Sequence, residues 1–151
     1  MTDVTEGSKA PAFDMPADSG RRATLSGPTV LYFYPKADTP GCTNEAKDFS
    51  EHELAFLAAG VTVIGVSKDP VKKLDKFKAK YDLKVTLASD EETGVTEAYG
   101  VWVEKSMYGK TYMGIERATF LIDGSGVVRR VWRKVSVKGH AEEVLAAAQA
   151  L

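Results

Sequence analysis

Two unbroken β-prone apolar runs, Val30-Leu-Tyr-Phe-Tyr34 and Val61-Thr-Val-Ile-Gly-Val66, stand on either side of a single helical stretch. Runs that are apolar at every position are strands covered on both faces. A strand, a helix and a second such strand close as a right-handed parallel crossover, which commits the chain to a sheet with a helix packed on it. The helix between them has Thr39 as its N-cap and Pro40 at its first position. Ala46, Phe49, Phe56 and Leu57 form one apolar face, and Gly60 ends it.

The rest of the chain extends this core. Asp69 reads as an N-cap before Pro70, opening a helix through Leu74, Phe77 and Tyr81. Thr86-Leu-Ala88 reads as a short strand and Thr93 to Tyr99 as a short helix. Thr119-Phe-Leu-Ile122 and Val127 to Trp132 flank Asp123-Gly-Ser-Gly126 and read as a hairpin. A last helix runs from about His140 to Ala150. Upstream, Phe13-Asp-Met15 and Ala23-Thr-Leu25 pair across Ala17-Asp-Ser-Gly20. Val101 to Ile115, with Tyr108, Gly109, Tyr112 and Gly114, reads as loop with extended pieces. The order predicts an α/β protein: a mixed central sheet with helices on both faces and an N-terminal β-hairpin extension, the thioredoxin-like arrangement. With 151 residues, a single domain over 1–151 is expected.

Composition narrows the function. With 20 basic and 21 acidic side chains the net charge is −1, which offers no basic field for nucleic acid or an anionic membrane. No apolar stretch approaches the length of a membrane span, and the opening residues lack a signal-peptide pattern. The one cysteine, Cys42, suits a reducing compartment, so a cytoplasmic location is expected. One cysteine and two histidines make a structural zinc site improbable.

Cys42 lies beyond the carboxyl end of a buried strand, where open α/β sheets bind ligands, and in the first turn of the following helix. Unpaired N–H groups and the helix dipole there favour an anion, and the thiolate is the nucleophilic form of cysteine. Gly41 leaves the backbone bare beside the sulfur, the Thr39 hydroxyl can point toward an approaching ligand, and Pro35 and Pro40 stiffen the loop. A lone cysteine is also commonly a small buried hydrophobe, and spacing alone leaves both readings open.

Pro35-x-x-x-Thr39-x-x-Cys42 resembles the active-site signature of the peroxiredoxins. The wider string Phe33-Tyr-Pro-Lys-Ala-Asp-Thr-Pro-Gly-Cys-Thr is similar to that of the bacterioferritin comigratory protein, or peroxiredoxin Q, subfamily. A second block, Tyr108-Gly-Lys-Thr-Tyr-Met-Gly-Ile-Glu-Arg117-Ala-Thr-Phe-Leu-Ile-Asp123, resembles that subfamily's later loop, arginine and strand. The resemblance implies reduction of hydrogen peroxide and organic hydroperoxides without metal, haem or flavin. Cys42 would attack the peroxide and become a sulfenic acid. Arg117 would stabilise the thiolate and the reacting oxygens, Thr39 would orient the peroxide, and Pro35 would shield the sulfur.

Many members of the subfamily carry a resolving cysteine five positions after the peroxidatic one. Here that position is Lys47, so the implied reductant is external: a small thiol, a thioredoxin- or glutaredoxin-like protein, or a second Cys42. The resemblance also suggests a monomer or weak homodimer. The alternative is a noncatalytic thioredoxin-like redox sensor or a binding or holdase module that keeps the site as a relic. A thiol–disulfide oxidoreductase would need a Cys-x-x-Cys pair, which Asn44-Glu45 does not supply.

Other residues read more simply. Gly109-Lys110-Thr111 ends like a P-loop, but Glu104 stands where its first glycine is required. His52 and His140 read as surface histidines. Tyr34, Trp102 and Tyr108 read as core or pocket wall, and the lysines from Lys68 to Lys84 as a solvated helix face that could dock an acidic reductase.

Overall fold

The computed structural model describes residues 4–151. A five-stranded mixed sheet runs in the order β5 (Thr86–Ser89), β4 (Thr62–Ser67), β3 (Thr29–Phe33), β8 (Ala118–Ile122), β9 (Val128–Trp132). The pairs β3–β4 and β4–β5 are parallel, whereas β8 is antiparallel to both β3 and β9. Between the parallel strands lie α1 (Pro40–Glu51), α2 (Glu53–Ala58) and α3 (Val71–Tyr81). The chain also holds the hairpin β1 (Asp14–Pro16)–β2 (Arg22–Thr24), the short α4 (Val95–Ala98), the ribbon β6 (Trp102–Met107)–β7 (Lys110–Ile115) and the final α5 (His140–Gln149).

Alternation along β3 divides the core. Val30, Tyr32 and Tyr34 pack with Phe49, Phe56, Leu74, Phe77 and Val144, which come from α1, α2, α3 and α5. Leu31 and Phe33 face the other cluster, with Met15, Val95, Tyr99 and Phe120. Helices therefore cover both faces unequally: four on one, and the short α4 beside the N-terminal hairpin on the other. Each large side chain fully buried here stabilises the fold by about 1.5–3 kcal/mol relative to exposure.

Several local expectations shift. Val101 to Ile115 is not loop but a regular antiparallel ribbon, with Met107 opposite Lys110. Its two-residue turn, Tyr108-Gly109, has positive φ at both positions (52° and 76°), the geometry that suits the twist of a hairpin. Most of the ribbon is exposed on both faces, so no apolar alternation marks it in the sequence. Tyr108, expected in the core or pocket wall, is 96% exposed at the tip.

The single helix expected from Thr39 to Gly60 is broken at His52, which turns Phe56 onto the core and leaves Leu57 exposed. Asp69 does not cap α3, which begins with Pro70 in the cap position. Its carboxylate instead accepts hydrogen bonds from the Ala37 N–H and the Ser67 hydroxyl, both at 2.8 Å. His140, expected at the surface, is buried with its Nε2 2.8 Å from the Thr119 hydroxyl, because α5 lays its first turn across β8.

One position tests the packing directly. Gly65 is registered against Tyr32, and a Cβ there would lie 2.5 Å from the buried tyrosine ring. Gly65→Ala should therefore destabilise the protein by about 1–3 kcal/mol through overpacking, read as a lowered urea midpoint. An unchanged midpoint would show that the ring moves freely.

Candidate active site

The site is assembled by register. Phe33 of β3 lies opposite Ala118 of β8, so the residues just past these positions, Tyr34 and Arg117, leave the sheet side by side. The chain then turns through Pro35 to Thr39 and enters α1, with Cys42 as its third residue. The first N–H groups of a helix have no intrahelical acceptor, and those of α1 include the Cys42 N–H.

The loop before α1 is fastened from two sides. Asp69 holds the Ala37 N–H. Asp38, in the left-handed region with φ of 62°, accepts from the Tyr81 hydroxyl at 2.5 Å and from Lys80 Nζ at 2.9 Å. Such backbone is strained for a non-glycine residue, and these contacts from α3 hold it.

Thr39 occupies the expected cap position in extended conformation, but its hydroxyl makes no cap hydrogen bond. It donates to the Lys36 carbonyl at 2.8 Å, which leaves its oxygen lone pairs free to accept. The Thr39 carbonyl receives the Thr43 N–H at 2.8 Å and so starts the helix. Pro35 sits at the exposed start of the same loop.

Cys42 is only 1% exposed. Arg117 Nη2 donates to its Sγ at 3.3 Å. Gly41 permits this approach, since a Cβ there would stand 3.2 Å from the same Nη2. The other arm, Nη1, donates to Glu45 Oε1 at 2.6 Å. The structure thus brings Arg117 to Cys42 and places Thr39 and Pro35 on the loop that delivers the sulfur.

Sequence reasoning missed Glu45. It lies one helical turn after Cys42, on the same inner face, and its side chain is buried. Burial raises its pKa to about 7, outweighing the lowering by the Arg117 guanidinium. Its Oε2 has no hydrogen-bond partner among the described residues. The available signal was the spacing itself, since a carboxylate three residues after a first-turn cysteine shares its face. A shallow groove of about 530 Å³ between Ser19 and α3, lined by Asp75, Lys78 and Leu83, shares no residue with this site.

Residues 7–131 match the AhpC/TSA family. The chain belongs to that family. A peroxiredoxin bcp from Coxiella burnetii, named there as putative, is 51% identical over 146 residues, covering 94% of this chain and 97% of the relative. The peroxiredoxin Bcp of Bacillus subtilis is 47% identical over 143 residues, covering 92% and 91%. Among solved structures, the bacterioferritin comigratory protein of Xanthomonas campestris, studied for its alkyl peroxide reduction activity, superposes with a TM-score of 0.88 at 42% identity. That match covers 99% of this chain and 98% of the other. Within the AhpC/TSA family, then, the chain is a peroxiredoxin of the Bcp and peroxiredoxin Q group, and its fold is thioredoxin-like.

The buried carboxylate has a pH signature. Between pH 4.5 and about 7 the folded protein holds a proton on Glu45 that the unfolded chain has released, so this group makes stability fall as pH rises. His140, lowered from 6.5 to about 4 chiefly by burial, acts in the opposite sense between those values, its contribution being lost as pH falls. Glu45→Gln should remove the downward component, so that stability from pH 4.5 to 7 rises more steeply than in the wild type. Urea midpoints across this range give the answer, and parallel profiles would refute it.

Proposed function

We propose that the protein is a one-cysteine peroxiredoxin that reduces hydrogen peroxide and organic hydroperoxides through Cys42, with an external thiol as reductant. The observation that carries this reading is the Arg117 guanidinium, 3.3 Å from the Cys42 sulfur by one arm and held by Glu45 through the other. A cation so fixed stabilises negative charge on the sulfur before reaction and on the peroxide oxygens during it, with no reorganisation at the moment of bond breaking.

In the first step the Cys42 thiolate attacks the terminal peroxide oxygen. An S–O bond forms as the O–O bond breaks, the sulfur becomes a sulfenic acid, and the leaving alkoxide or hydroxide takes a proton from solvent. Thr39, its hydroxyl hydrogen committed to Lys36, accepts from the peroxide O–H and fixes its orientation. The Cys42 N–H at the helix start is a further donor, and Pro35 screens the sulfur from water. The chemistry calls for no metal or organic cofactor.

Lys47 occupies the position of the subfamily's frequent resolving cysteine, and the chain has no second thiol. The sulfenic acid is therefore resolved from outside the chain, by a small thiol, a thioredoxin- or glutaredoxin-like protein, or the Cys42 of a second copy. The single cysteine fits a cytoplasmic enzyme, and the resemblance to the peroxiredoxin Q group suggests a monomer or weak homodimer. The sensor or holdase reading has no comparable support, because a relic has no need of an arginine held against the sulfur.

Stopped-flow mixing of reduced protein with hydrogen peroxide, followed by tryptophan fluorescence, tests the reading. A fast second-order phase should vanish in Cys42→Ser and slow by about 10²-fold or more in Arg117→Ala. A rate no better than that of a free thiol, indifferent to Arg117, would overturn it. With excess peroxide and no thiol, intact mass should show two- and three-oxygen adducts at Cys42, and added thiol should suppress them. Persistence of a single-oxygen adduct under excess peroxide would overturn the expected overoxidation.

A further inference from the structure

A second cation lies on the ribbon that leads into Arg117. On the β6–β7 ribbon Lys105 is registered opposite Tyr112, and Val103 opposite Gly114, so all four lie on one face. The Lys105 stem does not run straight out from its own rung. It leans over Gly114, where a Cβ would meet its Cδ at 3.1 Å and its Cε at 3.4 Å. That lean carries the ammonium toward the root of the ribbon, where the chain continues into Glu116 and Arg117. Gly114 is the residue that allows it.

At this position Lys105 interacts electrostatically with Arg117, Cys42 and Glu116. Burial and then the Arg117 charge lower its pKa, while Cys42 and Glu116 act against them. Among the described residues no carboxylate comes within ion-pair distance of it. Glu116 is engaged by Arg133 Nε at 2.8 Å, and Glu45 by Arg117. Both neighbouring carboxylates are thus already held by arginines, and Lys105 has no ion pair of its own among the described residues.

That balance changes during turnover, given the peroxidase reading above. The attacking thiolate carries a negative charge that the neutral sulfenic acid lacks, while both cations remain. The site then attracts an anion at the stage when a thiolate must attack. We propose that Lys105 is the recognition group for the carboxylate of a small anionic thiol that resolves oxidised Cys42. The thiolate attacks the sulfenic sulfur, an S–S bond forms, and hydroxide leaves and takes up a proton as water. A second thiolate then attacks the mixed disulfide, releasing the symmetrical disulfide and restoring the Cys42 thiolate. The carboxylate meets Lys105 in both attacks.

The test is double-mixing stopped flow on the full chain. Protein is oxidised with one equivalent of hydrogen peroxide, then mixed at low ionic strength with 3-mercaptopropionate, 2-mercaptoethanol or cysteamine, with rates expressed per thiolate. Lys105→Met should slow resolution by 3-mercaptopropionate by about five-fold relative to its effect on 2-mercaptoethanol, and should leave cysteamine unslowed or faster. Lys105→Arg should keep the wild-type order, and raised salt should erase it. An order of thiols that Lys105→Met leaves untouched, or that salt does not affect, overturns the proposal. Intact mass after the first mixing separates the two readings. Absence of the sulfenic adduct in the wild type sinks the peroxidase reading and this inference with it, whereas adduct formation without charge discrimination sinks this inference alone.

Discussion

The antiparallel register of β8 on β3 is the constraint on which the site depends. It sets Phe33 against Ala118, and so brings Arg117 out of the sheet beside the loop that leads to Cys42. The two residues are far apart in sequence, yet neither side chain has to search for the other, because both follow from strands buried at every position. A one-residue slip of β8 would exchange its faces and send the arginine elsewhere. The core packing of Phe120 against Phe33, with ring centroids 5.7 Å apart, is therefore also part of how the arginine is aimed.

An arginine placed this way needs a counter-charge that does not quench it. Glu45 is that partner, and its burial works against its own ionisation. A buried ion pair gains Coulomb energy but loses hydration, and here one carboxylate oxygen has no hydrogen bond to offset that loss. The arrangement is poor as a source of stability and good as a means of holding a guanidinium. Elsewhere in the fold Asp18 is buried under better terms. Lys78, Ser19 and the Leu87 N–H all serve its carboxylate, and its pKa falls despite the burial. The contrast separates a charge that ties the N-terminal hairpin to α3 and β5 from one kept beside the arginine that contacts the Cys42 sulfur.

Much of this was legible in the sequence because it rests on local signals. The buried strands, the helix opening at Thr39 and Pro40, and the turn at Asp123 to Gly126 are each announced by composition within a few residues. What escaped reading depends on partners distant in the chain. Asp69 looks like a helix cap until Ala37 competes for its carboxylate, and Thr39 looks like a capping hydroxyl until the Lys36 carbonyl takes its hydrogen. His140 looks like a surface residue until α5 presses it against Thr119. The ribbon was hidden for the opposite reason. Its strands bury little, so the periodicity that reveals other strands is absent, and the Tyr108-Gly109 turn was its one strong mark. Cys42 and Arg117 were each visible, but only strand pairing relates them in space.

The single cysteine also bears on why the loop is fastened so firmly. Positions 42 and 47 are five residues apart on a helix, so their side chains diverge around its axis. Cys42 is buried, while Lys47 is exposed with its ammonium 5.8 Å from the Tyr81 ring centroid. A cysteine at 47 could reach the sulfur only if the first turns of α1 unwound. A chain that never makes that bond has no need to unwind, and the contacts from Asp69 to Ala37 and from Tyr81 and Lys80 to Asp38 stand against it. Under the peroxidase reading, resolution then falls to a thiol brought from outside the chain. Where that thiol is small and anionic, the Lys105 ammonium is the proposed group by which it is selected.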